Sequence, residues 1–362
     1  MKIGFIGLGL IGGSIARAIR YFYPGAELVA YSRTRASVEE AVEDGVISRV
    51  LNGVDAEFGD CEYIFLCAPV AENVKYLEQL RDVIGADCVI TDVGSTKGDI
   101  HAHVARLGME TNFIGGHPMA GAEKTGYKNS KRILIENAYY VITPTAQVSG
   151  EVVERYREFI ASLKALPLVL DYETHDYVTA GISHLPHIIA SSLVNLVRDS
   201  DTKDGIMRLV AAGGFKDITR IASSSPEMWE QICMTNRENI SEILGRYIQS
   251  LRVIQGQLDA AKEGAIFELF ESSRDYRNSL PEKGSGPIQR IFEIYCDMVD
   301  ETGGIATLAT ILASNQINLK NIGIVHSREF IEAVLRIEFY DEKSMKQAAE
   351  ILRKYRYVIY ER

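Results

Sequence analysis

Three histidines, one arginine and a glycine-rich turn hold the chemistry that this chain could do. His117 sits in Gly115-Gly116-His117-Pro118-Met119-Ala120-Gly121-Ala122-Glu123-Lys124, and His184 and His187 lie three residues apart in Ser183-His184-Leu185-Pro186-His187. Arg220 closes Phe215-Lys216-Asp217-Ile218-Thr219-Arg220, and Asp92-Val93-Gly94-Ser95-Thr96-Lys97 adds hydroxyls beside a cation. Imidazole, with an ordinary pKa of about 6.5, suits proton transfer at working pH. A guanidinium fork binds a carboxylate through two parallel hydrogen bonds. Residues of these types can move a proton and hold an anion. Taken singly, each has a plainer explanation. His117 before a proline can shape a turn, Arg220 can be a surface ion pair, and one of the paired histidines or Trp229 can belong to the core. His184 and His187 hint at a metal, but no matched third ligand accompanies them and no zinc site is expected.

The second constellation is Gly7-Leu8-Gly9-Leu10-Ile11-Gly12, between an apolar run and a helical pattern. The first glycine permits a tight turn, the second lets backbone approach a pyrophosphate, and the third lets helix pack on strand. A dinucleotide cofactor is expected here. At the end of the next strand a carboxylate would select NAD by binding the ribose hydroxyl, but the chain has Ser32-Arg33-Thr34-Arg35. Hydroxyls and guanidinium groups suit a 2′-phosphate, so among NAD(P) cofactors the sequence favours NADP over NAD.

These residues need a scaffold, and the periodicity supplies one. Lys2–Ile6, Glu27–Tyr31, Tyr63–Ala68 and Cys88–Val93 are apolar runs, each followed by a loop and a helical stretch. That alternation predicts a Rossmann-type doubly wound parallel sheet over residues 1–171, with Ala138–Thr143 and Leu166–Leu170 as its last strands. From 172 to 278 helical spacing takes over, in Tyr177–Val197, Met228–Leu251 and Ala265–Arg277, which predicts an all-α substrate and dimerisation domain. A Pro, Gly and Ser-rich linker is expected at 279–288. Residues 289–362 then read as strand (Ile294–Val299), turn (Asp300–Gly304), helix (Ile305–Asn315), strands near Leu319–His326 and Ala333–Phe339, helix (Lys343–Lys354) and strand (Tyr355–Tyr360). That is the βαββαβ order of a ferredoxin-like unit.

A chain of 362 residues with 46% hydrophobic and 24% charged residues can build a sizeable core in each part. The formal charge of −10 argues against a nucleic-acid partner. The five cysteines are scattered, with no CxxC pair, and suit a reducing compartment. With a strand pattern at the N-terminus and no uncharged apolar run of spanning length, the expectation is a soluble, cytoplasmic protein without a membrane partner.

In their order along the chain, the blocks GLGLIGGS, DVGSTK, GGHPMAG, SHLPH and DITR resemble the bacterial prephenate dehydrogenases that carry a C-terminal ACT domain. The resemblance covers essentially the whole chain. It implies hydride transfer from C4 of prephenate to NAD(P)⁺, loss of carbon dioxide and aromatisation to 4-hydroxyphenylpyruvate, in tyrosine biosynthesis. It further implies that His117 accepts the proton of the C4 hydroxyl, that Ser95 positions that hydroxyl, and that Arg220 binds a substrate carboxylate. His184, His187, Glu123 and Trp229 would line the pocket. Relatives can carry a hydroxyl residue where this chain has Ala122, so no contact is carried over to that position. The dinucleotide would lie on Gly7, Leu8, Gly9, Leu10, Ile11, Gly12, Ser32, Arg33 and Thr34.

In the C-terminal module, Asp300, Gly303, Gly304, Ile305 and Asn318 resemble the amino-acid site of ACT domains, and L-tyrosine is the expected effector of a homodimer. A module that only dimerises is the alternative. Arogenate dehydrogenase is the nearest alternative activity. A β-hydroxyacid dehydrogenase would need a catalytic lysine on the helix that begins the second domain, where this chain offers His184 and His187. A non-catalytic redox or amino-acid sensor would need a recognition element, and no basic helix of that kind is found.

Overall fold

The structure is a computed structural model that describes residues 1–121, 124–280, 292–297, 303–325 and 334–361. The chain forms two compact units, Met1–Gly284 and Ser285–Arg362. In the first, β1 (Lys2–Ile6), β2 (Glu27–Tyr31), β3 (Arg49–Val50), β4 (Tyr63–Leu66) and β5 (Val89–Asp92) form a sheet in the order β3-β2-β1-β4-β5, with every pair parallel. Helices α1 (Leu10–Phe22), α2 (Arg35–Glu43), α3 (Val70–Leu80) and α4 (Gly98–Leu107) connect or follow these strands. Ile3, Phe5, Ile6, Ile64, Phe65 and Leu66 are wholly buried, as expected where helices cover both faces of a sheet. Strand order reverses between β1 and β4, and that switch point is where the Gly7 turn lies.

The next three strands depart from expectation. β6 (Ile114–Pro118), β7 (Tyr139–Pro144) and β8 (Leu166–Val169), with α5 (Gly150–Ser162) before β8, make a separate mixed sheet. β7 runs antiparallel to β6 and parallel to β8, and a single bridge between Ile90 and Phe113 links the two sheets. The reason lies in the connection from β6 to β7. It contains two short 3₁₀ turns, Tyr127–Asn129 and Arg132–Leu134, where a parallel return would need a crossover helix. His117 consequently stands on a strand and not in a glycine loop.

The glycines before it serve that strand. A Cβ on Gly115 would collide with Thr143 Oγ1, and one on Gly116 would lie 2.7 Å from the Asp92 carbonyl and 2.8 Å from the Tyr140 hydroxyl.

The helical part follows in the same unit. α6 (Tyr172–Thr179) is N-capped by Asp171 and runs through a π-helical turn at Ala180–His184 into α7 (Leu185–Ser200). Short helices α8 (Ile206–Val210) and α9 (Gly213–Thr219) lead to a 3₁₀ turn at Arg220–Ser223. The single helix expected over Met228–Leu251 is two, α10 (Pro226–Thr235) and α11 (Arg237–Asp259), followed by α12 (Ala265–Ser279). The break is at Asn236, whose side-chain amide donates to the Asp176 carbonyl at 2.7 Å.

Of the expected linker, only Ser279 and Leu280 belong to the described residues. The second unit contains β9 (Phe292–Asp297), α13 (Gly304–Ser314), β10 (Leu319–Val325), β11 (Val334–Phe339), α14 (Glu342–Lys354) and β12 (Ile359–Glu361). They form an antiparallel sheet in the order β10-β11-β9-β12. Leu308, Leu312, Ile337, Ala348 and Leu352 are among the residues of its core. Asp300 and most of the expected Asp300–Gly304 turn lie outside the described residues. The last strand begins later than expected because Arg356, at φ +68°, turns the chain before it.

Gly116→Ala is expected to lower the stability of the first unit, because its two closest neighbours are backbone and a buried tyrosine that cannot yield. Overpacking of this kind costs about 1–3 kcal/mol. A urea midpoint equal to that of the wild type would contradict this packing.

Candidate active site

Gly7 has φ +84°, and a Cβ there would lie 2.7 Å from the Ala68 amide, so only glycine fits this turn. Gly12 is similarly closed off by Cys67, with the Sγ 2.9 Å from a built Cβ. Gly9, by contrast, has open space around it and precedes α1 with no side chain capping that helix. An uncapped helix N-terminus with free space before it fits a pyrophosphate.

A cleft of about 300 Å³ opens here, lined by Gly7, Leu8, Gly9, Ser32, Arg33 and Thr34, with Cys67, Glu72, Tyr76 and Tyr127 among the other walls. Gly12 is buried, Ile11 packs against the core, and Leu10 lines a second cleft, so these three do not reach the first. Arg35 is held by Glu39 at 2.7 Å and Asn52 at 2.8 Å, which leaves Arg33 as the guanidinium on the cleft.

The polar cluster around His117 is built from three directions. At the end of β5, Asp92 and Lys97 form a wholly buried ion pair. The Asp92 carboxylate also accepts the backbone N–H of Gly94 at 2.8 Å and of Gly116 at 3.2 Å, fixing β6 beside β5. From α6, the Asp176 carboxylate accepts the N–H groups of Lys97 and Gly98, each at 2.8 Å, and so caps the start of α4. Asp176 Oδ1 also contacts His175 Nδ1 at 2.8 Å, and His175 Nε2 contacts His117 Nδ1 at 2.8 Å. His117 Nε2 has no partner among the described residues and is not sealed from solvent. Burial holds the His117 pKa well below the usual histidine value, with His175, Lys97 and His184 adding to that effect.

The other expected residues distribute unevenly. His184 has no exposed surface, contacts Asn236 through Nδ1 at 3.2 Å and leaves Nε2 buried without a partner, so it belongs to the packing and not to an open wall. Its pKa is lowered to about 4 by burial. His187 is half-buried and stacks on Trp229 with ring centroids 3.6 Å apart. Burial, and after it the cationic Arg220 nearby, lower the pKa of His187. Arg220 itself lines the second cleft with Leu10, Lys124, Asn129 and Lys131, a wall with three cations. Ser95 is half-buried and makes no hydrogen bond among the described residues. Glu123 lies outside the described residues.

Sequence reasoning passed over His175, Asp176 and Asn236, and quoted Asp92 and Lys97 without using them. The adjacent His175-Asp176 pair, just after the helix-capping Asp171, was the available signal.

A glycine turn and an uncapped helix N-terminus at the switch point of a parallel sheet, in one unit with His117, mark the class of nicotinamide-dependent dehydrogenases. Comparison with known proteins narrows this class. Residues 15–168 match the family model "Prephenate dehydrogenase, nucleotide-binding domain", and residues 171–272 match "Prephenate dehydrogenase, dimerization domain". The prephenate dehydrogenase of Bacillus subtilis is 35% identical over 348 residues, which cover 96% of this chain and 94% of that protein. The crystal structure of Aquifex aeolicus prephenate dehydrogenase in complex with hydroxyphenyl propionate and NAD⁺ is similar at 27% identity and a TM-score of 0.74, over 78% of this chain and 98% of that one. Synechocystis arogenate dehydrogenase matches at 28% identity and a TM-score of 0.70, over 78% of this chain and all of the other. The chain belongs to the prephenate dehydrogenase family.

The buried histidines make the first unit sensitive to acid. The pKa of His101 is also lowered to about 4 by burial, from an ordinary 6.5. Between about pH 6.5 and 4 the unfolded chain therefore binds protons that the folded chain refuses. Stability falls as pH falls, by up to about 1.4 kcal/mol per pH unit for each such histidine. His101→Gln, which can keep the contact to Thr143, is expected to flatten the slope of urea-derived stability across that window; an unchanged slope would refute it.

Proposed function

We propose that the protein oxidatively decarboxylates prephenate to 4-hydroxyphenylpyruvate, with His117 as the proton acceptor. The open Nε2 of His117, in a chain of this family, carries the reading. The dinucleotide, held by Gly7, Gly9 and the residues at the end of β2, supplies the hydride acceptor. His117 takes the proton of the C4 hydroxyl as that carbon is oxidised. When carbon dioxide leaves and the ring electrons return to the oxygen, the same proton goes back to the phenolate. A neutral, half-buried imidazole, with its pKa held below the usual value, suits this double role because it starts unprotonated. Ser95, at the turn after β5, orients the hydroxyl.

Arg220, with Lys124 and Lys131 on the same cleft, attracts the dicarboxylate and offers a bidentate partner to one of its carboxylates. His187 and Trp229 form the aromatic wall. Ser32 and Arg33 at the end of β2, where no carboxylate stands, favour a 2′-phosphate, so NADP⁺ is the preferred oxidant. The helical part pairs two copies of the chain, and the protein works in the cytoplasm. The test is a grid of initial rates with prephenate and arogenate, each with NAD⁺ and NADP⁺, for the wild type and His117→Asn. Prephenate is expected to be the better substrate, and the variant is expected to lose about 10²–10⁴ in turnover while binding dinucleotide as before. A loss of less than tenfold would remove His117 from this role.

The second unit acts as an ACT domain that binds L-tyrosine. Gly303, at φ +91° with open space around it, precedes α13, whose N-terminus suits a carboxylate. Gly304 begins that helix, while Ile305 and Asn318 are exposed. Tyrosine, as end product, should inhibit the full chain but not a chain truncated after Asn278. Inhibition that survives in the shortened, folded enzyme and fades with excess prephenate would place tyrosine in the active site instead.

A further inference from the structure

We propose that His175 and Asp176 are positioning residues of the reaction, which lock His117 in the tautomer whose Nε2 is unprotonated. The inference rests on the reading of His117 as the proton acceptor. Its first step is the Asp176 carboxylate. Two backbone N–H groups, of Lys97 and Gly98, already donate to it at 2.8 Å, so it is an acceptor there. His175 Nδ1 at 2.8 Å from Oδ1 must then carry a proton, because two lone pairs would repel at that distance. A neutral His175 with its proton on Nδ1 presents a lone pair at Nε2. His117 Nδ1, 2.8 Å from that lone pair, must donate to it. The remaining nitrogen of His117, Nε2, is left as the acceptor, and it is the one neither hydrogen-bonded nor sealed.

The same chain of bonds serves the charged state. Once His117 holds the substrate's proton, its Nδ1–H bond to His175 strengthens, and the negative charge of Asp176 stands one ring further on. The buried Lys97 cation opposes a positive His117, and the carboxylate of Asp176 beyond His175 acts in the opposite sense. The nearest rival arrangement is a doubly protonated His175 that donates to both neighbours. It would leave His117 protonated on Nε2, a donor and not a base.

The tests use the full chain. His175→Phe removes the acceptor for His117 Nδ1 while Asp176 keeps its backbone partners. Turnover is expected to fall about 10²-fold, with the Michaelis constant for prephenate and dinucleotide affinity within about twofold. His175→Gln, whose carbonyl can occupy the place of Nε2 and accept the same bond, should recover at least tenfold of that loss. Asp176→Asn tests the outer bond in the same assay, with thermal unfolding to identify a folding defect. Nitrogen-15 spectra of histidine-labelled wild type should show His117 unprotonated at Nε2 and His175 protonated at Nδ1, and His175→Phe should turn the His117 signals into a tautomer mixture. A His117 protonated at Nε2 in the wild type, or a folded His175→Phe with turnover within threefold, would overturn the proposal. A wild type that oxidises neither prephenate nor arogenate would instead sink the functional reading, and the spectra would still report the tautomer.

Discussion

Asp176 accepts the N–H groups of Lys97 and Gly98 with its two carboxylate oxygens, and one of those oxygens also meets the ring of His175. The backbone donors belong to the start of α4, which follows the parallel sheet, while Asp176 itself belongs to the first helix of the helical part. Its backbone carbonyl accepts from Asn236, at the break between α10 and α11. A carboxylate at a helix N-terminus is favoured by the helix dipole as well as by its hydrogen bonds. This anion therefore holds sheet, helices and reacting histidine in one register. It also ties the dinucleotide and helical regions, which match separate family domains, into one compact unit. The contact between the Thr96 and Thr235 hydroxyls, at 2.9 Å, adds a further tie.

Beneath that tie lies the Asp92–Lys97 pair, with no exposed surface on the lysine. Burying two charges costs more than a simple contact returns, and what makes it tolerable is that the carboxylate is hydrogen-bonded further, by Gly94 and Gly116. The glycines of the His117 strand are thus bound to an electrostatic demand. Gly116 must bring its N–H to Asp92, and any side chain there would push β6 away. The position of His117 follows from the sheet edge and not from a flexible loop, which suits a group that must keep its geometry while it gains and loses a proton.

Much of this was legible in the sequence, and the remainder has definite physical reasons. Gly7 and Gly12 announced the cofactor turn because their spacing between a strand and a helix is itself the signal, and the structure shows its causes, a positive φ at Gly7 and a close contact of Gly12 with Cys67. The apolar runs of β1, β2, β4 and β5 announced the parallel sheet. The direction of β7 was hidden, since it depends on what the connection after β6 does, and a short apolar run reads the same in either direction. The helix break at Asn236 and the π turn at Ala180–His184 were also hidden. The first is set by a partner remote in sequence, Asp176. His175 and Asp176 looked like ordinary polar residues in a first helical turn, and only their contacts across the fold give them meaning. Of the two paired histidines, one of which the sequence allowed to belong to the core, His184 is the one with no exposed surface.

The helical part leaves one physical demand unmet within a single chain. Leu196, Leu209, Val210, Ile218, Phe267 and Phe270 are all largely exposed, an apolar load beyond the scattered residues of an ordinary surface. Tyr172–Ser200 is long and apolar enough to cross a membrane by length and composition, and only 22% of its most apolar stretch is buried inside the chain. A bilayer and a second copy are the two obvious covers. The charges on the neighbouring helices choose between them: Arg237, Glu238, Glu242, Arg246 and Arg252 on α11, and Glu268, Glu271, Arg274 and Asp275 on α12. Several are held in exposed ion pairs, a state that lipid would penalise heavily and that the polar rim of a protein interface accommodates without cost. The description of residues 171–272 as a dimerization domain in the matching family points the same way. If the cover is a second copy, part of the stability of the helical part resides between chains. The histidines anchored on α6 and α7 then depend on protomer concentration as well as on the contacts around Asp176.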